Sequence, residues 1–112
     1  MKKTLFSFLT LLSTQVFSLE YAQQIDNDQV TVSRVKILPK EEIDLHRDEY
    51  PQVVIALEGG KITRLESDGS TVDVEFPTQV PVFREADPVD QLHKSVNRTS
   101  KPIELIIIQL KK

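Results

Sequence analysis

The sequence predicts an all-β domain, a small sandwich or barrel, on three observations. Stretches of strand length rich in β-branched residues recur from Val30 to Leu110, with turn-forming Gly, Pro, Asp and Ser between them. In Val72-Asp73-Val74-Glu75-Phe76 apolar and acidic residues alternate, the period of a strand with one buried and one wet face. No segment past residue 22 carries a convincing helical period. Short strands with turn signals at this spacing are the pattern of β-sandwiches and barrels.

The first eighteen residues stand outside that pattern. Lys2 and Lys3 give a positive start, Leu5 to Val16 is apolar apart from small hydroxyl residues and Gln15, and Val16-Phe17-Ser18 resembles a small-residue cleavage site. That combination describes a secretory signal peptide, residues 1–18. The apolar run is too short to span a bilayer comfortably, which needs about 20 apolar residues, so no stable membrane insertion is expected after cleavage. The Met-Lys-Lys-Thr opening looks bacterial, and the expected location is the periplasm or the exterior. The chain has no cysteine, which excludes both a disulfide framework and a lipidated junction.

Residues 19–34 read as an N-terminal extension or first strand, and 35–112 as the barrel. Val30, Val32, Val35 and Ile37 form the first β-branched stretch; the change of parity between Val32 and Val35 predicts a bulge, and Pro39 ends the strand. Lys40 to Asp44 is compatible with one helical turn. Pro51 to Leu57 is an apolar strand, and Glu58-Gly59-Gly60-Lys61 predicts a tight hairpin with positive φ at its glycines, returning through Ile62 to Glu66. Ser67-Asp68-Gly69-Ser70 is a second turn. Val80, Val82 and Arg84 continue the alternation of residues 72–76, and Leu92 to Val96 follows Pro88. The last strand, Ile103 to Leu110, is apolar on both faces at Leu105-Ile106-Ile107-Ile108, as expected of a strand buried between layers.

Charge narrows the partners. The whole chain carries a formal charge of −3, and removing the signal segment takes two lysines and no acids, leaving −5. An acidic chain without Lys/Arg clusters is not built to neutralise phosphate, so nucleic acid is excluded as the main partner. Under 100 residues make one domain with a modest core, for which a homodimer is a common supplement. The absence of tryptophan and an aromatic content of 6% argue against a large aromatic-lined sugar site. There is no G-x-S-x-G elbow, phosphate-cradling glycine loop or H-E-x-x-H helix.

Two stretches carry a family resemblance. His46-Arg47-Asp48-Glu49-Tyr50-Pro51-Gln52 and Pro88-Val89-Asp90-Gln91-Leu92-His93-Lys94-Ser95-Val96-Asn97 have the spacing of the two signature motifs of the cupins. The first motif reads G, five residues, H-x-H, three or four residues, E, six residues, G. The second reads G, five residues, P-x-G-x-x-H, three residues, N. His46 falls on the first histidine, Asp48 on the second, Gln52 on the glutamate and Gly59 on the closing glycine; Pro88, His93 and Asn97 fit the second motif. Two of the four usual metal ligands are thus replaced. The resemblance implies a small cupin-like antiparallel β-barrel of jelly-roll type, in which the two motifs converge inside the barrel.

It further implies one divalent metal ion, Fe, Mn, Ni or Zn, held by His46, Asp48 and His93, with Gln52 and Asn97 as polar neighbours that bind the cofactor. His46 and Asp48 are two apart and share a strand face, and Gln52 keeps that parity if no bulge intervenes. An H-x-D…H set resembles the two-histidine, one-carboxylate triad of non-haem iron oxygenases. The alternative for the same residues is a relic in which the imidazoles hydrogen-bond to Gln52, Asn97 or water. Tyr50 suits the barrel mouth, and Arg47 either recognises a carboxylate or lies on the surface. Three functions stay open: an exported barrel binding a small molecule and a divalent metal, a metal-dependent oxygenase or isomerase, and a structural dimer with a relic site. Export predicts a mature protein that begins at Leu19. Intact-mass measurement on the periplasmic fraction checks this, and a Met1-containing species in the membrane pellet contradicts it.

Overall fold

The structure, a computed structural model, describes residues 20–111; the segment assigned to a signal peptide lies outside the described residues. Nine strands run through them without a helix: β1 Glu20–Asp26, β2 Val30–Ile37, β3 Glu42–His46, β4 Gln52–Glu58, β5 Gly60–Glu66, β6 Thr71–Phe76, β7 Val82–Arg84, β8 His93–Val96 and β9 Ile103–Leu110. They form a five-stranded sheet in the order β1-β2-β9-β4-β7 and a four-stranded sheet in the order β3-β8-β5-β6. Every ladder is antiparallel. After β2 the chain crosses repeatedly between the sheets, the winding of a jelly roll.

The strand period sorts the side chains. On the large sheet the inward row positions run Ile37–Ile103, then Val35–Leu105–Ala56, then Ser33–Ile107–Val54–Val82, and last Thr31–Gln109–Gln52–Arg84. The first rows meet Ile62, Val74 and Phe76 of the small sheet in one buried cluster, with Ile37, Ala56 and Ile103 essentially inaccessible. The barrel is therefore apolar at one end and polar at the other. Burial of this cluster is the main favourable contribution to folding.

Four local expectations change. The Gly59-Gly60 segment is not a hairpin, since β4 and β5 belong to different sheets, and neither glycine has positive φ. Close approach is what excludes a side chain there: a Cβ on Gly59 would collide with the Phe76 carbonyl oxygen, and one on Gly60 would lie 2.9 Å from Ile103 Cδ1. Gly69, at φ 90°, is the true hairpin glycine, between the paired strands β5 and β6. Residues 40–44 form no helical turn; Lys40 takes φ 71° six residues before His46, where the cupin motif has glycine, and β3 follows. The bulge lies not in β2, which pairs with β9 without a break, but opposite it in β1 between Gln23 and Ile25. Thr31 and Ser33 point inward while Val32 takes the outer face, which explains the change of parity.

The last correction concerns β9. It is central in its sheet, but only one face is inward; Ile106 and Ile108 lie on the outer face, half-buried. There Ile25, Val32, Ile108, Val53 and Phe83 are register neighbours across all five strands; the outer two, Ile25 and Phe83, stay exposed and flank the half-buried Val32, Ile108 and Val53. Ile103→Ala is expected to cost about 2–5 kcal/mol, because it opens a cavity in the sealed end. Ile108→Ala should cost less than half as much. Denaturant unfolding of the two variants checks the assignment of faces, and equal losses would contradict it.

Candidate metal centre

The polar end of the barrel collects both histidines. His46 closes β3, His93 opens β8, and the two are direct cross-strand partners across a register irregularity between Ile43 and His46. Their ring centroids are 4.4 Å apart. Asp48 comes to them from a segment outside the strands, which corrects the expectation of a shared strand face: β3 ends at His46, and Gln52 opens β4 in the other sheet.

Asp87, just ahead of the second motif, supplies what parity does not. Asp48 N–H donates to Asp87 Oδ2 at 2.9 Å, and Asp87 N–H donates to the Asp48 carbonyl at 2.8 Å. Arg47 adds a bond from Nη1 to the Asp87 carbonyl at 3.0 Å, so its guanidinium staples the loops together. These bonds place the Asp48 carboxylate between the imidazoles, Oδ1 3.4 Å from His46 Nε2 and Oδ2 3.7 Å from His93 Nε2.

Behind His93, which is 2% exposed, lies a second layer of charge. Asp87 Oδ2 stands 3.2 Å from His93 Nδ1, and Asp87 Oδ1 accepts from Arg64 Nη2 at 3.0 Å. Arg64 is also held by Glu66 at 2.9 Å, so two carboxylates match its charge. Arg64 Nη2 lies 2.9 Å from His93 Nδ1 as well. Two patterns therefore compete at that nitrogen. If Nδ1 carries the proton it donates to Asp87 and leaves Nε2 bare toward Asp48; if Nδ1 accepts from Arg64, the proton sits on Nε2.

At His46 the tautomer follows from its partner. Nδ1 is 2.6 Å from the Asp44 carbonyl, which can only accept, so Nδ1 carries the hydrogen. A neutral His46 consequently presents the Nε2 lone pair to a carboxylate oxygen. Two acceptors face each other, and a proton or a metal ion between them removes the conflict. The side-chain bond with Asp48 accordingly raises the His46 pKa, outweighing burial. Burial, together with Arg64 and His46, lowers that of His93. Burial alone would raise Asp48, but the His46 bond and the neighbouring cationic groups hold it low.

This donor set fits a divalent ion. One ligand atom each from His46, Asp48 and His93 lie within 4.8 Å of one another. Neighbouring ligands on an ion with bonds of about 2.0–2.2 Å stand roughly 3.0–3.6 Å apart, so closing the set needs movements of a few tenths of an ångström to an ångström. Asp87 is placed as the outer carboxylate that orients a ligating imidazole.

A cavity of about 170 Å³ opens beside the cluster. His46, Asp48, Gln52, Arg64, Arg84, His93 and Gln109 line its polar side, and Ile43, Val54, Leu105 and Ile107 its apolar floor. Gln52 is thus at the site, 8% exposed, entering from the opposite sheet. Asn97 is not: its Nδ2 donates to the Ile37 and Lys101 carbonyls, and its Oδ1 accepts from Thr99, so the amide organises the turn before β9. Tyr50 is partly exposed outside the cavity lining. Asp87 and Arg64 carry no motif signal in the sequence, and Arg84 shows itself only as the continuation of the Val80, Val82 parity.

Two antiparallel sheets rolled into a jelly roll are the cupin fold, the double-stranded β-helix. The solved structures agree: a cupin domain from Bordetella pertussis Tohama I superposes with a TM-score of 0.73 at 22% identity, covering 84% of this chain and 94% of its own. A cupin superfamily protein from Desulfitobacterium hafniense gives 0.61 at 12% identity over 90% of this chain and 84% of its own. The polyketide cyclase RemF from Streptomyces resistomycificus gives 0.55 at 17% identity over 82% and 64%. No sequence-family model matches the chain, and no curated protein matches it.

The two imidazoles should titrate on opposite sides of an ordinary histidine, His46 above and His93 below. Stability from the raised His46 is complete below its unfolded pKa of about 6.5 and is lost as pH rises through the folded value. The lowered His93 acts in the opposite sense, and its contribution is lost as pH falls from about 6.5 through its folded value. That of Asp48 is lost as pH falls from about 3.9 through its own lowered value. Histidine NMR titrations of metal-free protein check the order, and Asp48→Asn should bring His46 down toward the ordinary value. An unchanged His46 titration in that variant would contradict the assigned geometry.

Proposed function

We propose that the chain is an exported cupin-fold protein that binds one divalent metal ion through His46, Asp48 and His93 and holds a small ligand in the adjoining cavity. The observation that carries the metal reading is the lone-pair conflict at His46. Its Nδ1 hydrogen is committed to Asp44, and its Nε2 faces the Asp48 carboxylate at 3.4 Å. Two imidazoles and one carboxylate suit Fe(II), Mn(II), Ni(II) or Zn(II), and a bound ion would act as a Lewis acid toward a ligand oxygen. His46 and His93 supply lone pairs, Asp48 supplies the negative charge, and Asp87 with Arg64 fixes the His93 ring. Access from the cavity leaves room for a ligand on the open side of the set.

An enzymatic reading is second. RemF shares the fold and is a polyketide cyclase. The cavity here, about 170 Å³, is smaller than the roughly 300–1,000 Å³ typical of pockets for drug-sized ligands, which favours a small ligand over a polyketide. Binding is therefore the primary proposal, with any catalysis directed at a compact substrate.

Elemental analysis of untagged protein should find close to one divalent ion per chain. His46→Ala and His93→Ala should abolish it, and Asp87→Asn should weaken it by about 10–100-fold. Since imidazole binds metal only when neutral, occupancy should fall below about pH 6. Saturation at 100 times Kd would add about 2.7 kcal/mol of stability, a clear rise in melting temperature. Absence of bound metal, with no shift in melting temperature on adding any of the four ions, would reduce the cluster to a proton-sharing relic.

A further inference from the structure

The inner face of the large sheet ends in a polar row of which only the first member is bonded within the fold. Thr31, Gln109, Gln52 and Arg84 are successive register partners on β2, β9, β4 and β7. Thr31 donates to Asp26 on β1. The side chains of Gln109, Gln52 and Arg84 make no hydrogen bond or ion pair with any described residue. Gln52 is more than nine-tenths buried, and all three line the cavity beside His46 and His93. Buried polar groups in native proteins are overwhelmingly hydrogen-bonded, so the buried, unpaired Gln52 amide calls for a partner that the described residues do not supply, and the half-buried Gln109 amide and Arg84 guanidinium beside it are placed to bind the same partner.

We propose that this row is a carboxylate-binding subsite and that the ligand of the cavity is a short-chain carboxylic acid anion. The class follows from charge, donor geometry and space. The Arg64 charge is matched by Glu66 and Asp87, whereas Arg84, which lines both this cavity and the outer groove beside Glu85 and Asp87, makes no ion pair with any described residue, so the row offers one positive charge for one negative one. A guanidinium presents paired N–H donors that fit the two oxygens of a carboxylate, and the neighbouring Gln52 amide adds another donor. Beneath the row lie Val54, Leu105 and Ile107, which suit a short alkyl chain rather than a hydrated phosphate or sugar. About 170 Å³ equals roughly six water volumes, so the alkyl part is a few carbons at most. Arg47, the arginine that the sequence offered for a carboxylate, is tied to the Asp87 backbone instead.

The inference rests on the cavity being the ligand site proposed above, but not on the metal. Isobutyrate and its neutral isostere isobutyramide are the probes, titrated into metal-free and Zn(II)-loaded protein while the arginine and glutamine side-chain N–H signals are followed by NMR. Isobutyrate should bind the metal-free protein with millimolar affinity and shift the Arg84 and Gln52 signals, and isobutyramide should bind at least tenfold more weakly. Arg84→Gln should weaken isobutyrate at least tenfold. Arg84→Lys should fall between, because the charge remains while the paired donors are lost. Since Arg84 has no partner within the fold, Arg84→Gln should melt no lower than the native protein and load the same amount of metal. Equal binding of the two probes, no binding of isobutyrate, or unchanged affinity in Arg84→Gln overturns the subsite even if metal loading is confirmed. Arg84-dependent binding in a protein that takes up no metal sustains it and rejects only the metal reading.

Discussion

Two reciprocal hydrogen bonds, from Asp48 N–H to the Asp87 carboxylate and from Asp87 N–H to the Asp48 carbonyl, hold the mouth of this barrel in its working shape. They join the loop after β3 to the loop after β7. Without them Asp48 would hang from the end of β3 beside water, and the two histidines would face only each other. The same Asp87 carboxylate receives Arg64 and stands against His93, so one side chain sets the position of Asp48, the orientation of His93 and the charge behind both. Such a group contributes little as an isolated pair, but it is consequential where several buried polar groups share it.

The division of the barrel into an apolar and a polar end gives this arrangement its setting. Ile37, Ala56 and Ile103 exclude water at the sealed end, and packing around them fixes the strand registers. Because the β2–β9 register is unbroken and that of β4 with β9 is continuous from Gln52 to Ala56, fixing it at the apolar end also fixes which residues stand side by side at the other. The polar row Thr31, Gln109, Gln52, Arg84 is thus positioned by hydrophobic residues several positions away along the same strands. The unpaired, buried Gln52 amide lowers stability, and a core that is complete elsewhere tolerates it.

Much of this was legible in the residue pattern. Alternation in residues 72–76, the punctuating glycines and prolines and the lack of helical period give an all-β chain, and the spacing of His46, Asp48, Gln52 and His93 marks four of the residues that meet at the cavity. Asn97 carries the motif spacing equally well, yet its amide closes a turn, because spacing alone does not distinguish an inward side chain from one that satisfies local carbonyls. The Gly59-Gly60 pair misleads for a related reason. Glycine marks both positive φ and close approach of backbone, and only the position of Phe76 reveals that the second applies.

The sequence by itself determined the local matters: strand period, the Ser67 to Ser70 turn, the acidic charge balance and a histidine on each motif. Each depends on residues near one another along the chain, where propensity and periodicity act. Tertiary structure decided which strands exchange between sheets, that Asp48 reaches the histidines through Asp87 rather than along a strand, and that Arg84 rather than Arg47 faces the cavity. Those outcomes depend on contacts between residues 40 positions apart and more, such as Arg47 with Asp87, and on register across a sheet. Neither leaves a trace in local pattern, because they are set by how the whole chain buries its apolar surface.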